Sequence, residues 1–87
     1  MMTGDEMRNL GRTLANGRTI VQQGYYGNGC WSEVYIAIVD DKGSKVSNYE
    51  AIVVTNSGKV RQTWGKSQRS LWARVRREEL ATLSMSR

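Results

Sequence analysis

Between Lys59 and Arg77 the chain carries seven basic residues (Lys59, Arg61, Lys66, Arg69, Arg74, Arg76, Arg77) and no acidic one, with Trp64 and Trp72 set among them. Positive side chains attract anions, and an aromatic face beside them lets a planar group stack. The chemistry on offer is therefore capture of an anion: the phosphates of a nucleic acid, a small nucleotide, or an acidic protein surface. A second stretch, Gly24-Tyr25-Tyr26-Gly27-Asn28-Gly29, reads as a glycine loop in which two tyrosines offer flat faces with polar ends. Such a loop suits a ligand wall; it equally suits an ordinary turn before a core strand.

Catalysis has few groups to work with. There is no histidine, which removes the commonest general base and every Ser-His or Cys-His nucleophile pair. The single cysteine, Cys30, cannot close an internal disulfide, and the usual zinc ligand sets are missing. Of the eight acidic residues, Asp40 and Asp41 precede Lys42-Gly43 and read as a solvated turn. The expectation is a binding protein rather than an enzyme, with no metal and no cofactor.

Elements must position these residues, and the sequence supplies their signals. Thr3-Gly4-Asp5-Glu6 has the spacing of a capping box, opening a helix that runs to about Asn16 with Met7, Leu10 and Leu14 on one face and Gly17 placed to end it. Gly11 inside this helix costs about 1 kcal/mol relative to alanine, which points to a close packing contact or a marginal helix. Arg18 to Gln22 reads as a short strand. Trp31 to Val39 is apolar on both faces, as a central strand or a subunit contact requires. Asn48 to Thr55 forms the next strand, and Asn56-Ser57-Gly58 turns the chain into Lys59 to Thr63, whose alternation fits an exposed edge. Ser67 can cap a basic helix from Gln68 to about Leu83, with fraying expected after Leu80 because Glu78 and Glu79 oppose the helix dipole, and with residues 84–87 a disordered tail. The fold class is α+β: an N-terminal helix, about four mostly antiparallel strands and a C-terminal basic helix, in one domain over residues 1–87.

Two parts of the chain resemble a family of small phage proteins, the second kind of Thoeris anti-defence protein, which act as sponges for nucleotide second messengers. The first is Ala15-Asn16-Gly17-Arg18-Thr19-Ile20-Val21 followed by Gly24-Tyr25-Tyr26-Gly27. The second is Gly58 followed by Trp64-Gly65-Lys66-Ser67-Gln68-Arg69-Ser70-Leu71-Trp72-Ala73, similar to the family's Trp-x-x-Ser-Gln-x-x-Leu-x-Ala pattern. The chain departs from the family at Ser70, where an acidic residue is usual, at Val75-Arg76, where an Asp-Trp pair is usual, and in its shorter middle segment and its basic C-terminal tail. The resemblance implies a homo-oligomer that sequesters a cyclic nucleotide between subunits and leaves it chemically unchanged. For such a ligand, Tyr25, Tyr26 and Trp64 would stack, Arg61, Arg69 or the Gly27-Asn28-Gly29 amides would hold phosphate, and Gln68, Ser67 and Asn28 would meet base edges.

The function expected from this resemblance is anti-defence by sequestration. The alternatives are a small basic module for single-stranded RNA or DNA, and a viral inhibitor docking on an acidic host protein. No apolar run approaches the roughly 20 residues that span a bilayer, so the sequence reads as soluble and intracellular, in the host cytoplasm if the protein is viral.

Overall fold

The computed structural model describes residues 1–27, 32–43 and 46–85. It has the order α1 (Gly4–Ala15), β1 (Ile20–Gly27), β2 (Glu33–Asp40), β3 (Tyr49–Thr55), β4 (Val60–Gly65) and α2 (Gln68–Met85). This is the expected α+β fold. The strands form one sheet in chain order, every neighbouring pair antiparallel, because each connection between them is short.

The two helices cover opposite faces of the sheet. On one, Met7 and Ala15 of α1 pack with Tyr35, Ala37, Val39, Ile52 and Val54. On the other, Leu71, Val75 and Leu83 of α2 pack with Val34, Ile36, Ile38, Ala51 and Val53. Successive side chains of a strand point to opposite faces, so β2 and β3, sandwiched between two helices, must be apolar at nearly every position. They are buried almost throughout, and the central-strand expectation for residues 31–39 holds for the described part, Glu33–Asp40.

Helix α1 starts as its sequence dictates. The Thr3 hydroxyl accepts from the Glu6 amide at 3.2 Å and the Glu6 carboxylate accepts from the Thr3 amide at 2.9 Å. These bonds, the backbone one foremost, hold the Glu6 carboxyl below the usual carboxylate range. The helix ends at Asn16 and Gly17, both with positive φ (52° and 83°). Arg18 then folds back to donate to the Ala15 and Leu14 carbonyls, while its guanidinium reaches Asp41 at 2.9 Å and Glu50 at 2.7 Å. Burial works against the Arg18 charge, but the two carboxylates outweigh it and raise the pKa further. Glu50 is only 2 % exposed and takes a second bond from Gln62 at 2.6 Å, so the buried carboxylate is fully partnered.

Several boundaries differ from the sequence expectation, beginning with β1, which starts at Ile20 rather than Arg18. Residues 24–27 are strand, not loop: β1 runs through both tyrosines. Strand β4 continues through Trp64 to Gly65. Helix α2 does not fray after Leu80 but continues to Met85, because Arg61 on β4 neutralises Glu78 and Glu79 and Leu83 is buried; Ser84 and Met85 are helical, while Ser86 and Arg87 lie outside the described residues. Among the described residues no helix is long and apolar enough to cross a membrane.

Candidate anion-binding surface

Because β1 extends through Gly27, Tyr25 and Tyr26 point to opposite faces of the sheet and cannot form one wall. Tyr25 lies on the α1 side, where its hydroxyl donates to the Gly4 carbonyl at 3.0 Å and its ring centre is 5.0 Å from that of Tyr35. Tyr26 lies on the α2 side, tilted against Trp72 at 6.3 Å between ring centres. Gly24 makes this contact possible. A Cβ there would stand 3.2 Å from the Trp72 ring and 3.1 Å from the Tyr26 hydroxyl, tighter than nearly all real contacts. The Arg76 guanidinium sits 5.5 Å above the Tyr26 ring, a cation–π arrangement at the border of helix and strand.

The remaining expected site residues separate. Arg61 is committed to α2: it meets Glu78 at 3.0 Å and Glu79 at 2.7 Å, so its charge is neutralised within the fold. Ser67 caps α2, its hydroxyl accepting from the Ser70 amide at 3.3 Å. Gln68 donates to the Gln22 side chain at 3.2 Å, tying the start of α2 to β1. Trp64 is half exposed on the α1 side of β4, across the strand pair from Glu50. Arg69 is exposed on α2. Asn28 lies outside the described residues. Of the expected set, Tyr26, Gln68 and Arg69 belong to one border, between α2 and β1. Tyr25 and Trp64 are on the other side of the sheet, at its two opposite edge strands, and are not brought together within one chain.

To Arg69 the border adds Trp72 and Arg76, which belong to the basic strip read from the sequence but not to its expected ligand contacts. Arg69, Trp72 and Arg76 recur at i, i+3 and i+7, which places them on one flank of a helix. That spacing was the available signal. Elsewhere on α2 lie Arg74 and Arg77, with Lys66 just before the helix, all exposed. Arg74 donates to the Thr63 hydroxyl and the Trp64 carbonyl, which fixes it over β4 without touching its charge.

The decisive feature is which cations are already paired. Among the described residues, Arg8, Arg18, Lys42 and Arg61 have carboxylate partners. Lys66, Arg69, Arg74, Arg76 and Arg77 have none and share one helix and its N-terminal approach; the others without one, Arg12 and Lys59, lie elsewhere. Of these five, Arg76 stands over the Tyr26 ring at the β1 border and Arg74 lies over β4 at the opposite flank of the helix.

Two concave features lie elsewhere and differ chemically. A cavity of about 300 Å³ beneath the C-terminal half of α2 is lined by Met1, Glu33, Asn56, Lys59, Glu79 and Leu83 among others, and by none of the five cations of α2 and its approach. A shallow depression by Arg18 is flanked by Asp40 and Asp41. Among the described residues no group of three or more cysteine or acidic side chains could hold a metal ion. Comparison with models of known protein families, with curated proteins and with solved structures finds no match to this chain.

Proposed function

We propose that this protein is a non-catalytic binding module that holds single-stranded nucleic acid along the outer surface of α2 and its border with β1. The observation that carries this reading is the run of cations without carboxylate partners along α2 and its approach, Lys66, Arg69, Arg74, Arg76 and Arg77, with Arg76 over the Tyr26 ring and Tyr26 against Trp72 at the β1 border. Arginines neutralise phosphates, and a partly exposed aromatic gives an unstacked base a face to lie on, worth about 1–3 kcal/mol per base.

Fluorescence anisotropy with labelled single-stranded and duplex oligonucleotides tests the proposal. Binding to single strands that weakens steeply with added salt, with tryptophan quenching diminished in Trp72→Phe, supports it. No binding at low salt, or binding indifferent to salt, contradicts it.

One observation favours a second reading, sequestration of a small cyclic nucleotide. Tyr26, Trp72 and Arg76 put a guanidinium and two rings within the reach of a single base and phosphate. A cyclic dinucleotide that raises the melting temperature while oligonucleotides fail to bind would transfer the function to this reading.

A further inference from the structure

Strand β4 is an edge whose exposed groups are complementary to themselves. The Thr55 amide donates to the Lys59 carbonyl, and the Gly65 carbonyl accepts from Asn48, so residues 59, 61, 63 and 65 face β3. By alternation, the amides and carbonyls of Val60, Gln62 and Trp64 face outward. Their side chains share the α1 side of the sheet, beyond the part that α1 covers, and leave Val60 42 % and Trp64 50 % exposed. An exposed strand edge with apolar side chains on it is a template for another strand.

The geometry points to a second copy of this chain as the occupant, pairing β4 with β4 antiparallel about a two-fold axis at Gln62. In that register Gln62 faces its own counterpart and Val60 faces the partner copy's Trp64, so every outward amide and carbonyl of one strand meets an outward group of the other. Both apolar side chains then leave water on one face. Arg61 stands opposite a threonine, and Lys59 and Lys66 stand opposite Gly65 and Gly58, so no like charges oppose one another. The Trp64 carbonyl, which already accepts from Arg74 at 3.1 Å, has a second lone pair for the neighbouring strand. The other edge, β1, carries a register irregularity between Ile20 and Gln22, which β4 lacks.

Such a contact is isologous and closes at two chains. An axis perpendicular to the sheet keeps both α2 helices on the same face of one eight-stranded sheet, joining two basic surfaces into one. The interface rests on β4 alone and stands whether or not α2 binds nucleic acid.

Sedimentation velocity across a wide concentration range, combined with cross-linking specific for register, tests it. In a Cys30→Ser background, Gln62→Cys places two thiols on residues whose Cα atoms are about 5.5 Å apart in a hydrogen-bonded pair, within disulfide reach. Val60→Cys places them four residues out of register, about 14 Å apart. The expected result is a concentration-dependent dimer that Gln62→Cys locks on mild oxidation and Val60→Cys does not. A mixture of Val60→Cys and Trp64→Cys chains should cross-link, and Trp64→Lys should abolish the dimer with its circular dichroism retained. Val60→Lys must do the same, which keeps the test valid where Trp64→Lys impairs folding. A chain that remains monomeric at every concentration, or a dimer that cross-links equally through Val60→Cys, overturns the inference.

Discussion

Gly11 sits where α1 packs directly on the ring of Tyr35. A Cβ added there would stand 2.7 Å from the Tyr35 ring, and that ring is fixed by the bond from its hydroxyl to Gln23 at 2.6 Å. Helix propensity alone favours alanine by about 1 kcal/mol, but overpacking a close contact costs about 1–3 kcal/mol. Gly11→Ala is therefore expected to destabilise the protein, seen as a lower urea midpoint. Tyr35 itself carries a pH signature. Burial chiefly, with help from Tyr25, raises its pKa against the opposing pull of Arg12 and Arg8. A group whose pKa is raised by folding contributes stability below its unfolded value, near pH 10, and that contribution is lost as pH rises further. Melting temperature should thus fall more steeply above about pH 10 in the wild type than in Tyr35→Phe. At the opposite end of α1, Glu50→Ala removes the buried partner of Arg18 and Gln62 and leaves the guanidinium with Asp41 alone. Breaking a buried pair of this kind costs about 3 kcal/mol in chemical denaturation.

At the scale of the element, β1 and α2 show where local signals suffice and where they fail. The capping box at Thr3, the Ser67 cap, the Asn56–Gly58 turn and the double-sided apolar strands were legible because each depends on neighbours in the chain. The pair Gly24 and Gly27 reads as a loop on its own, yet Gly24 is a strand residue whose missing Cβ admits Trp72 from a helix far along the sequence. That misreading is what placed Tyr25 and Tyr26 on one wall. Glu78 and Glu79 likewise weaken a helix end taken alone, and only the structure supplies Arg61 from β4 to neutralise them. Arg61→Ala should therefore leave Glu79 partly buried without its cation, lower stability by about 2 kcal/mol and speed amide hydrogen exchange in the C-terminal half of α2 more than in α1. The basic strip of the candidate site was legible as composition. Its division between a neutralised Arg61 and a free outer surface was not, because pairing is a property of contacts.

Across the whole molecule, the net charge of +5 is not spread evenly: among the described residues Arg8, Arg18, Lys42 and Arg61 are paired with carboxylates and Arg12 and Lys59 are not, whereas α2 and its approach collect five cations without carboxylate partners. A chain of 87 residues buries only about two-thirds of its unfolded surface, which leaves little stability to spare for repulsion among like charges. Such crowding is relieved when a polyanion takes the place of salt. The most direct test is the slope of log affinity for a single-stranded oligonucleotide against log salt concentration. If all five cations meet phosphates the slope approaches about −3.5 per chain, and the double variant Arg69→Ala/Arg77→Ala should flatten it by about 1.4. A slope near zero in the wild type, or a slope left unchanged by removing those two arginines, would contradict the assignment of α2 as the binding surface.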